Sequence, residues 1–316
     1  MCESPSDLSI VLPAHNEAAN IAPMAAALKS VMDKQGSAEI IFVDDGSSDG
    51  TLAALRAAAV DPAIRYVSFT RNFGHQAALR AGLHHARGRA VVIMDADFEH
   101  PPELLPELIA AWRSGAKVVA TQRIDDATQV TAVKRFTSKL YYRLLNAIGD
   151  VTIVPGSSDY MLIDRAVVDV INRLEDQDVF VRGLVRWFGF PMTTVPFVRG
   201  KRRNGSSKFA VRQMVELAIT GIAAHSVQPL RLAVWLSLVS AAFGLLLLVY
   251  SVGSFVFYKT VVGWTSILAA IAILGAAQLL VLGIIGEYVG RILRETRKRP
   301  SYIVAETEGG MGETHS

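Results

Sequence analysis

The chain has 316 residues, 51% of them hydrophobic, with a mean hydropathy of +0.32 and a formal charge of +3. That hydropathy is high for a wholly soluble protein, and the charge is too small to imply a nucleic-acid partner. A single cysteine, Cys2, excludes an intrachain disulfide and a multi-cysteine zinc site. Met1–Asp7 is polar and the apolar run Leu8–Pro13 is too short for the core of a signal peptide, so none is expected.

Short apolar runs ending in turn residues predict strands at Leu8–Leu12, Glu39–Val43, Ile64–Phe69, Ala90–Met94 and Lys117–Thr121. Helical spacing predicts helices between them, over Glu17–Lys34, Thr51–Ala59, Gly74–Ala86 and Glu103–Ser114. This alternation implies a mostly parallel sheet covered on both faces, with ligands beyond the carboxyl ends of its strands. Ile124–Thr131 reads as a loop, and Lys134–Ile148 as an amphipathic helix carrying Lys134, Arg135, Lys139 and Arg143. That basic face suits either anionic lipid or solvent. A strand at Tyr160–Ile163, helices at Ala166–Leu174 and Val179–Phe188, and a strand at Thr193–Val198 complete a head domain spanning residues 1–208.

Residues 209–229 have helical periodicity and are expected to lie along a membrane interface. Within 230–290, Leu232–Tyr258 has no charge, and Trp264–Leu282 extends to Tyr288 with only Glu287 ionisable. Each exceeds the roughly 20 residues that cross a bilayer core, so a two-helix transmembrane hairpin is expected. Basic residues crowd both flanks: Arg199, Lys201, Arg202, Arg203, Lys208, Arg212 and Arg231 before, and Arg291, Arg294, Arg297, Lys298 and Arg299 after. The positive-inside rule then puts the head and the basic tail, 291–316, in the cytoplasm. The tail segment Pro300–Glu306 reads as a strand able to pair with a neighbouring subunit in a homo-oligomer.

Chemistry-bearing residues gather at the predicted strand ends. Asp95-Ala96-Asp97 with Glu99 follows the fourth strand, where alternate residues share a side and their carboxylates can converge on Mg²⁺ or Mn²⁺. The competing reading is an acidic turn that caps the helix near Pro101–Glu103. After the second strand, Asp44-Asp45-Gly46 opens a turn whose carboxylates suit a base or ribose, or serve only the turn; Asp49 and Thr51 read as capping residues. Pro13, His15 and Glu17 follow the first strand and face the same crevice. His75, His84, His85 and His100 show no metal-ligand spacing and read as surface or capping residues. Arg202, Arg203, Ser207 and Lys208, just before the interfacial segment, suit a phosphate group at headgroup depth or a plain membrane-proximal basic cluster.

The segments LSIVLPAHNEAANI, IIFVDDGSSDGT, RNFGHQAALRAG, VVIMDADFEHPPE, RNGSSKF and LGIIGEYVGRILRETRKRPSYIV run in order along nearly the whole chain. Together they resemble the family 2 glycosyltransferases of the dolichol-phosphate-mannose-synthase type, and the two-span arrangement looks especially like the bactoprenol glucosyltransferases. The resemblance implies an α/β domain of the GT-A fold, Rossmann-like, catalysing inverting transfer of a sugar from a nucleotide sugar, preferably UDP-linked, to a polyprenyl phosphate at the inner membrane. By position it implies that Pro13, His15, Glu17, Val43 and Asp45 line the nucleotide pocket. Asp95, Ala96 and Asp97 then hold the diphosphate and its metal, with Glu99 as a further ligand. Arg123 approaches the donor, Arg202 and Lys208 grip phosphate groups, and Asp159 orients sugar or acceptor or caps a turn. This chain departs from the family pattern with His15 in place of tyrosine and Glu99 in place of glutamine.

Two other functions share parts of this pattern. A processive polysaccharide synthase uses a Q-x-x-R-W motif, but Gly183-Leu-Val-Arg186-Trp187 lacks the glutamine and two spans are few for a polymer channel. A non-catalytic membrane scaffold would tolerate loss of Asp97 or Lys208, and both are present.

Overall fold

The computed structural model describes residues 7–124, 157–174, 176, 180–198, 200, 228–258, 263–308 and 310–311. In chain order the first half comprises β1 (Leu8–Ala14), α1 (Ala18–Met32), β2 (Ala38–Asp44), α2 (Thr51–Ala58), β3 (Ile64–Phe69), α3 (His75–His85), β4 (Ala90–Ile93), α4 (Leu105–Arg113) and β5 (Val118–Arg123). Then come β6 (Ser157–Asp164), α5 (Arg165–Arg173), α6 (Val181–Trp187), β7 (Met192–Phe197), α7 (Gln228–Tyr258), α8 (Trp264–Thr296), β8 (Val304–Thr307) and β9 (Gly310–Met311).

The strands form one sheet in the order β7-β5-β6-β4-β1-β2-β3-β8-β9. The expected parallel core is present: β1 pairs in parallel with both β2 and β4, and β2 with β3. The strand β6 runs antiparallel between β4 and β5, so the sheet is mixed on that side. Every residue of β1 is buried, as a central strand covered on both faces requires.

Alternation along β1 divides its side chains between two apolar layers. Ile10 and Leu12 pack with Ile21, Met24 and Leu28 of α1 and with Leu105 and Leu108 of α4. Val11 lies on the other face with Ala78 and Leu79 of α3 and with Val167 and Ile171 of α5. Each fully buried aliphatic side chain of this kind contributes roughly 1.5–3 kcal/mol relative to exposure. The short runs read as strands are therefore held by burial on both sides rather than by their own propensity.

The C-terminal segment departs from the expected basic tail. Residues 291–296 continue α8, and β8 then pairs antiparallel with β3 of the same chain, not with a neighbour. The exposed edge of β3 would otherwise leave a row of unpaired N–H and C=O groups. Arg56 adds a two-point contact with Glu306 at 2.8 and 2.6 Å, and Arg65 donates to Glu308 at 2.6 Å. The described residues from Arg299 onward thus belong with the head.

The two long helices form a second compact unit. Gly244 of α7 packs toward Leu274 of α8, where an added Cβ would stand 3.8 Å from the leucine Cδ1. Among the described residues one helix is long and apolar enough to cross a membrane, over Ile273–Gly290, while the apolar stretch found in α7, Ala233–Leu246, is shorter. Both helices outrun the expected spans, α7 beginning at Gln228 and α8 ending at Thr296. Of the expected interfacial segment 209–229, residues 228–229 begin α7 and the rest lies outside the described residues, as does the basic helix with Lys134, Arg135 and Lys139.

Candidate active site

The loops that leave the carboxyl ends of β1, β2 and β3 are tied together by side chains. The Asn16 N–H donates to Ser47 Oγ at 2.9 Å, and Ser48 N–H returns a bond to Asn16 Oδ1 at 2.9 Å. The Glu17 N–H donates to Thr51 Oγ1 at 2.9 Å, and Thr51 N–H to Asp49 Oδ1 at 2.9 Å. Asp49 is thus a turn residue, as the sequence suggested, whereas the expected capping role is not seen: Gly50 stands at the N-cap of α2, with no side-chain cap bond, and Thr51 is the helix's first residue. Asp44 does similar work, accepting from Ser47 N–H at 3.1 Å and from Ser68 Oγ at 2.8 Å.

Asp45 reaches the other way, to the loop after β3. Its Oδ1 accepts from Phe73 N–H at 2.7 Å and its Oδ2 from Gly74 N–H at 3.0 Å. Burial pushes this carboxyl up, against the pull of those two backbone donors. Gly46 makes the approach feasible: its φ is +62°, and a Cβ there would stand 2.2 Å from the Arg71 carbonyl carbon. His15 joins the same knot, its Nδ1 2.9 Å from the Asp45 carbonyl and 3.3 Å from Asn72 Nδ2.

The acidic loop after β4 is held from beneath by His100. This ring is buried, stacked on Tyr160 with centroids 4.9 Å apart. Its Nδ1 accepts from the Asp95 N–H at 2.9 Å, so Nε2 carries the proton and donates to Ser158 Oγ at 2.8 Å. Burial holds the His100 pKa below its ordinary value, although Asp95 and Asp97 pull it upward. Asp97 is also buried, and its Oδ1 accepts from the Glu99 N–H at 3.0 Å.

A second charged group stands beside the acidic loop, on β6. Asp159 takes a two-point contact from Arg182, with Nε to Oδ1 and Nη2 to Oδ2 both at 2.7 Å. Burial alone would raise this carboxyl, but Arg182 outweighs it and holds the pKa below the usual range. Between the two acidic groups stands His75, its Nε2 3.9 Å from Asp95 Oδ1 and 3.8 Å from Asp159 Oδ2.

The structure brings His15, Glu17 and Asp45 to one cluster and Asp95, Asp97, Glu99 and Asp159 to the neighbouring one. Glu17 is engaged by Asn20 Nδ2 at 2.5 Å. Pro13 and Val43 face each other in the β1–β2 ladder, and the Val43 side chain packs in the apolar layer with α3. Ala96 is likewise buried, in the opposite layer. Arg123 ends β5 opposite Phe197. Arg202, Arg203, Ser207 and Lys208 lie outside the described residues. The chain leading to them is placed: Gly200 N–H donates to the Glu99 carbonyl at 3.1 Å. A separate cleft lined by Asp7, Arg89, Trp112, Lys117 and Asp164 lies at the opposite, strand-starting end of the sheet.

Fit to a divalent cation rests on Asp95 and Asp97. Among the described residues no three His, Cys, Asp or Glu side chains stand close enough to cage an ion. Mg²⁺ and similar ions are commonly held by one or two carboxylates, with substrate phosphates and water supplying the rest. The donor set therefore fits an ion shared with a diphosphate better than a resident three-carboxylate site. His75, His100 and Arg182 were not anticipated as site residues. For His75 a signal existed, since it opens the helix after β3 at the acidic end of the sheet; nothing local marks Arg182.

The family model for glycosyl transferase family 2 matches residues 9–171. The uncharacterized glycosyltransferase YkcC of Bacillus subtilis is 39% identical over 95% of this chain and 94% of its own length. The SfII prophage-derived bactoprenol glucosyl transferase of Shigella flexneri is 37% identical over 96% of this chain and 99% of its own. Among solved structures, the mannosyltransferase PcManGT of Pyrobaculum calidifontis, in complex with GDP-Man and Mn²⁺, is similar over 88% of each chain at 19% identity with a TM-score of 0.46. The matched model covers more than half the chain and the curated relatives cover nearly all of it: the protein belongs to glycosyl transferase family 2.

Proposed function

We propose that this glycosyltransferase moves a sugar from a nucleotide-sugar donor, preferably UDP-linked, to a polyprenyl phosphate on the cytoplasmic face of the inner membrane. The observation that carries the reading is the bond from Gly200 to Glu99, which fixes the residue just before the basic stretch 201–208 in sequence to the acidic loop after β4. A phosphate acceptor and a diphosphate donor would both find complementary charge there. The relatives named as bactoprenol glucosyl transferases support the choice of acceptor. The apolar stretches of α7 and α8, with basic residues outside both, support a two-span hairpin with its ends in the cytoplasm.

In this reading an acceptor phosphate oxygen attacks the anomeric carbon as the bond from that carbon to the diphosphate breaks, inverting the configuration. A phosphate monoester is anionic near neutral pH, so the residues needed are those that position and neutralise rather than a strong base. Asp95 and Asp97 would hold Mg²⁺ or Mn²⁺, which when bound supplies Lewis-acid stabilisation to the departing diphosphate. The chain's own part is to keep those carboxylates fixed, through His100 and Ser158 beneath Asp95 and through the Glu99 N–H at Asp97. Arg202, Arg203, Ser207 and Lys208 would grip the phosphates, and Asp159, set by Arg182, would orient the sugar or acceptor.

The test is transfer by the purified full-length protein with Mn²⁺, radiolabelled nucleotide sugars and polyprenyl phosphate. A single-sugar lipid product is expected. A long polymer would indicate a processive synthase, and no product with any donor would indicate a scaffold.

A further inference from the structure

The segment that follows α8 does more than cover the edge of β3. Tyr302, six residues past the end of α8, stacks on Phe69 with ring centroids 5.0 Å apart and planes within 15°. Phe69 in turn meets Phe73 edge to face at 5.8 Å, and the Arg71 guanidinium lies 4.0 Å over the Phe73 ring. One residue further on, the Ile303 carbonyl accepts from Thr70 N–H at 3.0 Å. The C-terminal segment therefore holds the loop 70–74 by its backbone at Thr70 and, through Phe69 at the end of β3, by the Phe73 ring.

That loop sets the donor crevice. Phe73 and Gly74 present the two N–H groups that fix Asp45, and Asn72 reaches His15. Gly74 then leads into His75, which stands between Asp95 and Asp159. Asp45 and His15 hold the loop from the crevice side, and on its outer side Thr70, Arg71 and Asn72 are exposed. A loop of such composition is ordered by what packs behind it.

We infer that Tyr302 is a positioning residue for nucleoside-diphosphate binding, acting through Phe69 and Phe73 on the loop 70–75. The inference rests on the proposed donor site, and it makes the chain emerging from α8 a structural part of that site. Tyr302 touches no substrate; it fixes where the loop's N–H groups and His75 stand.

The experiment compares the full-length protein in lipid nanodiscs with Tyr302→Ala, Tyr302→Phe and Glu306→Gln. Two quantities are read: amide hydrogen exchange across residues 70–76, and the Kd for UDP or GDP with Mn²⁺. Tyr302→Ala is expected to speed exchange in 70–76 while β1 and β4 stay protected, and to weaken nucleotide binding about tenfold, near the upper end of what one aromatic pair supplies. Tyr302→Phe keeps the ring face and should behave as wild type, and Glu306→Gln, which loosens the hairpin away from the rings, should leave 70–76 unchanged. If Tyr302→Ala does not fold, Tyr302→Leu, with apolar bulk but no ring face, is judged by the same readings. Unchanged exchange in 70–76, or an equal rise throughout the sheet, overturns the inference. Should wild type bind neither nucleotide, the donor-site reading fails, while exchange still decides whether Tyr302 orders the loop.

Discussion

The Gly200 N–H donates to the Glu99 carbonyl at 3.1 Å, and a Cβ at position 200 would stand 2.2 Å from the Phe98 carbonyl oxygen. The contact is backbone to backbone, so no side-chain rotation relieves it. Gly200→Ala is expected to push the chain away from the acidic loop at about 1–3 kcal/mol, the usual cost of overpacking. Transfer should fall at least about tenfold, and the melting temperature of the head should drop by a few degrees, roughly what that cost implies. Steady-state rates beside a thermal melt check this; normal turnover would separate the basic stretch from the reaction.

Asp97 is the buried carboxylate of the pair proposed to hold the cation. Asp97→Asn keeps the shape and the acceptor for the Glu99 N–H but removes the charge. A loss of about 10²–10³-fold in kcat is expected, comparable to removing one electrostatic stabiliser of a transition state. Membrane insertion should be unaffected. Retention of Mn²⁺-dependent turnover in this variant would remove Asp97 from the site.

His100→Phe tests the support beneath Asp95. The phenyl ring can keep the stack on Tyr160 but cannot accept from the Asp95 N–H or donate to Ser158. An unsatisfied buried donor costs about 1–3 kcal/mol, so a lower melting temperature is expected together with weaker Mn²⁺ binding. A fall in stability with Mn²⁺ affinity unchanged would make His100 a core residue only.

At the opposite end of the sheet, Glu39 accepts from Ser9 at 2.6 Å and pairs with Arg65 at 2.8 Å. Burial works to raise its pKa, yet Ser9, the Arg87 N–H and Arg65 together hold it below the ordinary value. A depressed carboxyl contributes stability that is fully present above its unfolded pKa of about 4.3 and is lost as pH falls through the folded one. Wild type should therefore lose stability on acidification below about pH 4.3, and Glu39→Gln should flatten that limb. At neutral pH the substitution should cost about 3 kcal/mol, as expected when one partner of a buried pair is removed. Chemical denaturation across pH measures both effects.

The alternation of strands and helices was legible because burial on both faces leaves short, nearly continuous apolar runs such as Leu8–Leu12 and Glu39–Val43. The acidic strand ends were legible for the same reason: Asp45, Asp95 and Asp97 interrupt those runs abruptly. What could not be read was contact between distant segments. Nothing near Arg182 announces Asp159, which lies 23 residues earlier. The partner of the tail strand was misassigned because Val304–Thr307 has an edge-strand pattern that names no particular edge. Its mate, β3, is more than 230 residues away in sequence, and only the fold shows that this edge is open.

The hairpin β8–β9 also sets an order of events during synthesis. A ribosome delivers β1 to β7 long before it reaches residue 304, and both long helices emerge in between. The β3 border consequently waits, uncapped, until residues 304–307 are made. Complete assembly of the enzyme is thus a late step, one that follows delivery of its apolar helices rather than preceding it.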